Sequence, residues 1–164
     1  MKSNLVKYAP PGYDYSIDKK FYFIGLSIAT MYSFSYSIRF TNEKNDLYRY
    51  YNFNIKELIP GAVMPDFVDI LGNALWGYFI LAACLLTLIA LRYASYYQHS
   101  KSIYLMKRLP NKLDIHRRCL VVPILAAVSC FAIAFLVLLL YFGHYMIFTP
   151  NECLTPNQWA KIWR

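Results

Sequence analysis

Three long apolar runs divide the chain, and polar stretches of unequal charge separate them. The first run is "FYFIGLSIATMYSFSYSI", Phe21 to Ile38. The second is "ALWGYFILAACLLTLIAL", Ala74 to Leu91, and the third runs from Leu120 to Phe148. A helix needs about 20 apolar residues to cross a bilayer. The pattern therefore predicts an all-α membrane protein with three transmembrane helices, at about residues 21–38, 74–91 and 120–142. The third run exceeds the need, which implies tilt or protrusion. The first is rich in Ser and Tyr and inserts least readily on its own. No small-x-small cleavage site follows it, so it reads as an uncleaved span rather than a signal peptide.

Residues 21–148 then form one three-span membrane domain. A tail, 1–20, precedes it and another, 149–164, follows. In the outer loop, 41–71, Ile59, Val63, Phe67 and Ile70 recur at helical spacing. Pro60 and Pro65 interrupt any long helix there. Short amphipathic segments on the membrane face are expected; a lid over a path between helices is the alternative.

Charge sets the orientation. The 92–119 loop carries Arg92, Lys101, Lys107, Arg108, Lys112, Arg117 and Arg118 against Asp114 alone. The 41–71 loop carries more acids than bases. Positive loops stay in the cytoplasm. The N-terminal tail and the 92–119 loop are thus expected inside, and the 41–71 loop and C-terminal tail outside, in a bacterial inner membrane. Trp76, Trp159 and Trp163 fall at the outer boundary, where aromatic belts form.

Only 16% of the residues are charged, against 58% hydrophobic, and the net charge is +8. Soluble proteins average about 25% charged residues. The basic excess does not indicate nucleic acid, because the apolar runs leave no soluble surface to carry such a patch. Cys84 and Cys130 lie within spans and Cys119 at an inner end. Only Cys153 lies outside, so a disulfide framework is not expected. Cys153 is expected to be a free thiol open to an impermeant reagent.

No Asp, Glu, Lys or Arg interrupts a span, which argues against an ion or proton path within this chain alone. His99, His116 and His144 lack partners at metal-ligand spacing, and no phosphate-binding Gly loop occurs. His144 reads as an interfacial hydrogen-bonding residue. No enzymatic activity, cofactor or metal is expected of this chain.

Small residues organise the spans. Gly25, Ala29, Ser33 and Ser37 recur every four residues, a spacing that lets helices approach closely. Ala126, Cys130 and Ala134 repeat it in the third run. The first groove receives either a neighbouring span of this chain or a partner chain; packing within the chain is the slightly favoured reading.

The basic loop carries the most specific signal. In "SKSIYLMKRLPNKLDIHRRCL", Ile103, Met106, Leu109 and Leu113 lie at spacings of three, three and four. Lys101, Lys107, Arg108 and Lys112 take other faces. The spacing predicts a short amphipathic helix stopped by Pro110 and Asn111. Topology and anionic lipid account for the charges, at roughly 1 kcal/mol per basic residue near the surface. The apolar stripe adds a helix-in-groove ligand for a cytosolic protein.

"SIYLMKRLP", followed by a basic turn and an apolar span, resembles the cytoplasmic loop between the second and third spans of type-2 ABC exporter permeases. The resemblance implies that Ile103, Tyr104, Leu105, Met106, Lys107, Arg108, Leu109 and Pro110 form a coupling helix. That helix would seat on a separate ABC ATPase subunit in the cytosol. The match covers about ten residues as motif and most of the chain as layout. Such permeases typically carry twice as many spans per half. The chain is thus expected to be a split permease subunit beside a second permease subunit or another copy, an accessory subunit, or a degenerate relative. The rival expectation is a small non-transport regulatory or anchoring subunit of another membrane complex.

Overall fold

A computed structural model describes residues 15–52, 55–98 and 113–163. In chain order the elements are α1 (Tyr15–Ser33), α2 (Ser35–Asp46), β1 (Tyr48–Asn52), β2 (Ile55–Leu58), α3 (Phe67–Leu71), α4 (Trp76–Gln98), α5 (Leu113–Phe148), a 3₁₀ turn (Asn151–Cys153) and α6 (Gln158–Lys161). The chain is mostly helical.

Among the described residues, one helical stretch is long and apolar enough to cross a membrane. It is the 29-residue Leu120–Phe148 part of α5. Trp76–Leu91 of α4 is a shorter apolar stretch. The first run departs from expectation, because its helix breaks. α1 ends at Ser33, and Phe34 precedes α2. The Phe34 N–H reaches only three residues back, to the Met31 carbonyl at 3.2 Å. The N–H groups of Ser37 and Ile38 share the Phe34 carbonyl. This is the tighter three-residue pattern, and it resets the helix.

The fold is also not purely α. β1 and β2 form an antiparallel hairpin, pairing Tyr48 with Leu58 and Arg49 with Glu57. The aromatic run of β1 suits a strand, and the opposed charges of Arg49 and Glu57 favour this register. The Ile59 N–H then donates to the Leu47 carbonyl at 3.0 Å. Ile59 and Val63 are exposed, whereas Phe67 and Ile70 are buried. The helical spacing read across all four holds only for the last two. A turn at Gly61, where φ is +83°, separates them from the first.

The chain divides into two compact units. Among the described residues, the first comprises 15–29, 77–98 and 113–133, the second 30–52, 55–76 and 134–163.

In the first unit, α1, α4 and α5 pack around Leu81, Ala82, Leu85, Ala127 and Cys130. Tyr22, Leu26, Leu88 and Ala126 lie against this core. The Tyr22 hydroxyl meets Ser129 Oγ at 2.8 Å. Ser129 gives its own proton to the Ala126 carbonyl, so Tyr22 is the donor across the helices. The outward faces are as apolar as the core. Ile24 and Ile28 of α1, Phe79, Ile80 and Leu86 of α4, and Leu125, Val128 and Phe131 of α5 are all exposed. A helix that is apolar on every side belongs in a large core or a membrane.

Candidate functional site

Two features carry candidate function: the close approach of α1 and α4 in the first unit, and a loop–tail assembly in the second.

The approach of α1 and α4 depends on missing side chains. A Cβ built on Gly77 would lie 3.1 Å from Ala29 Cα and 3.3 Å from Ala29 Cβ. One built on Gly25 would overlap the tip of Leu81. Gly25 and Ala29, two members of the predicted groove, are thus filled by α4 of the same chain.

The other two groove members lie in the second unit and diverge. Ser33 is buried. Its Oγ donates to the Thr30 carbonyl at 2.7 Å and meets the Tyr141 hydroxyl at 3.0 Å. Ser37 is exposed, so it is not part of a packed groove. A strict four-residue repeat drifts around a helix of 3.6 residues per turn. The buried line in this unit runs instead through Ser33, Tyr36 and Phe40. Ala126 is partly buried, and Cys130 and Ala134 are buried, so the small residues of the third run face protein.

Aromatic rings form the core of the second unit. Tyr36 stacks on Tyr141 with centroids 4.3 Å apart, and its hydroxyl donates to the Tyr141 carbonyl at 3.0 Å. Phe67 meets Phe142 and Tyr145 edge to face. His144 lies edge-on to Phe40 at 4.7 Å and tilted against Phe148 at 4.6 Å. Its Nδ1 has no hydrogen-bond partner among the described residues. The Lys44 ammonium sits 5.4 Å from the Phe148 ring centroid.

The C-terminal tail is not a loose extension. The Met64 N–H donates to the Cys153 carbonyl at 3.0 Å, and the Tyr145 hydroxyl donates to the Pro65 carbonyl at 2.9 Å. The buried Gln158 joins loop and tail. Its Oε1 accepts the Phe67 N–H at 2.9 Å, and its Nε2 donates to Asp66 Oδ1 at 3.1 Å. Thr155 Oγ1 donates to the same Asp66 oxygen at 2.8 Å. Lys161 pairs with it at 2.6 Å. Cys153 is only 2% exposed. The expectation that its thiol meets an impermeant reagent fails, because the bond to Met64 draws this part of the tail into the interior.

Hydrogen bonding from Lys161, then from Thr155 and Gln158, holds the Asp66 carboxyl below its ordinary range, more than offsetting its partial desolvation. A depressed carboxylate contributes stability above its unfolded value, and that contribution disappears as pH falls through the folded value. The free value is about 3.9. The tail should therefore stay fastened at neutral pH and loosen only in acid below that value. With Trp76 and Trp163 replaced by Phe, the Trp159 emission should shift in that acid range and not between pH 5 and 8. Asp66→Asn should abolish the acid step and weaken the tail at neutral pH by up to about 1 kcal/mol, the scale of a part-exposed ion pair.

Among the described residues, no group of three or more His, Cys, Asp or Glu is placed to hold a metal ion. The coupling segment, Ile103 to Pro110, lies outside the described residues, between the end of α4 at Gln98 and the start of α5 at Leu113. No protein-family model, curated protein or solved structure matches the chain.

Proposed function

We propose that the chain is a three-span inner-membrane protein acting as a membrane subunit of an ABC transporter, permease-like or accessory. Its Ile103–Pro110 segment would couple it to a separate cytosolic ATPase. The membrane part of this reading rests on the exposed apolar faces of α1, α4 and α5. The break at Phe34 is compatible with a first span, because a local three-residue pattern keeps backbone groups bonded within the segment.

The observation that carries the coupling part is the length of two helices. α4 continues as helix from Arg92 to Gln98, past the end of its apolar stretch at Leu91. α5 begins at Leu113, well before its apolar run at Leu120. Each extension of about seven residues adds roughly 10 Å at about 1.5 Å per residue. With the apolar runs in the bilayer, the basic segment is tethered to helix ends that stand clear of the hydrocarbon. A loop serving only as a topology signal or lipid clamp needs no such extensions. A segment that must reach a soluble partner does. Closure of the partner on ATP would push the segment, and α4 and α5 would transmit the motion as levers.

The second reading, a non-transport regulatory or anchoring subunit, is favoured by one observation. Among the described residues, the packed cluster of the first unit, Leu81, Ala82, Leu85, Ala127 and Cys130, is small and wholly apolar. Purification in mild detergent separates the two. The coupling reading predicts a co-purifying soluble ATPase whose hydrolysis changes on removal of this chain. It fails if the chain purifies alone or only with proteins that bind no nucleotide.

A further inference from the structure

The C-terminal segment Gln158–Trp163, which α6 opens, is inside out for a segment surrounded by water. Gln158, among the most polar residues available, is 3% exposed, while Trp159 is 41% and Trp163 is 70% exposed. The polar side is fastened inward: Gln158 bonds Phe67 and Asp66, and Lys161 bonds Asp66. The two indoles share the other side, four residues apart, with centroids separated by 6.3 Å. In water, burying the indoles and exposing the amide would be favoured.

The indole pair is continuous with the apolar helix α5. Trp159 packs edge to face on Phe142 at 5.0 Å. In the same unit, Met146 and Ile147 of α5 are exposed as well. An indole has an apolar body and one N–H donor, and it settles where an apolar phase meets a wet one.

We infer that Trp159 and Trp163 form a membrane-interface anchor, held against the bilayer's headgroup boundary by the Asp66–Gln158–Lys161 fastening. The anchor fixes the outer end of α5 at a set depth. This inference rests on the membrane reading above and adds to it a lipid-facing role for the tail.

The test uses the full chain with Trp76→Phe, so that Trp159 and Trp163 are the only indoles and are excited selectively over tyrosine. The protein is reconstituted into phosphatidylethanolamine/phosphatidylglycerol vesicles containing phosphatidylcholine brominated either near the glycerol end or near the middle of the acyl chain. The anchor predicts loss of most of the emission with the shallow bromines, a smaller loss with the deep ones, and little quenching by aqueous iodide. Full iodide access with no bromine quenching overturns it. Protection from both quenchers also overturns it, and would mean that a protein surface, from a second copy or a partner, covers the indoles. Alkaline carbonate extraction of the same vesicles keeps the two readings apart. Retained protein with unquenched indoles removes only the anchor; extracted protein removes the membrane reading itself.

Discussion

Gly77→Leu is expected to break the packing of α1 against α4. The clash is with the backbone: a Cβ at Gly77 already crowds Ala29 Cα at 3.1 Å, and a leucine would have to push a helix axis aside. Overpacking a close-fitted core usually costs about 1–3 kcal/mol. An obstruction by main chain belongs at or above the top of that range. Gly25→Ala meets only the tip of Leu81. That side chain can change rotamer, so the cost should fall near the bottom of the range. Thermal unfolding in detergent, followed by helical circular dichroism, should therefore rank Gly77→Leu far below Gly25→Ala and the native chain. Equal effects would mean that α1 and α4 do not meet through these glycines.

The second large effect is expected at the basic segment. On the proposed coupling to an ATPase, replacing Ile103 and Met106 together by Ser would remove two apolar anchors, each worth roughly 1.5–3 kcal/mol if fully buried at an interface. Part of that sum is lost to the cost of association. Binding of the ATPase should still weaken on the order of a hundredfold, since about 1.4 kcal/mol is a factor of ten. Insertion should be unchanged, because every positive charge that sets topology remains. Replacing Lys107 and Arg108 by Gln should mainly slow association and flatten its salt dependence, as rim charges do. A loop acting only on topology or lipid gives the opposite pattern, with the Ser pair silent. Titration of the ATPase onto each reconstituted variant distinguishes the two.

What the sequence revealed depended on how local its signals were. Hydropathy alone located the Leu120–Phe148 part of α5, because so long a mainly apolar run admits few alternatives. It also located α4, though not the helical extension to Gln98. The break at Phe34 was not legible: no Pro or Gly marks it, and only the backbone bonding around Met31, Phe34 and Ser37 reveals it. The hairpin did leave a trace in the aromatic run Tyr48, Tyr50 and Tyr51. Reading the loop by the helical spacing of Ile59, Val63, Phe67 and Ile70 passed over it. The loop–tail fastening had no local signature. Asp66 and Lys161 lie 95 positions apart, and an isolated acid and base in two polar segments look like ordinary surface charges. The burial of Cys153 was not legible for the same reason, since its backbone meets the distant Met64. Gly25 and Ala29 were recognisable as a close-packing face, but the four-residue repeat did not identify what fills it. Gly77, the most constrained position opposite them, was not singled out because it stands alone in an apolar run.

The most direct measurement places a photo-reactive amino acid at Ile103 and irradiates intact cells. Coupling to a cytosolic ATPase predicts a cross-link to a soluble nucleotide-binding subunit, lost when the same residue is placed at the exposed, apolar Ile124 of α5. Cross-links from Ile103 to phospholipid alone, or to a partner that binds no nucleotide, would contradict the account.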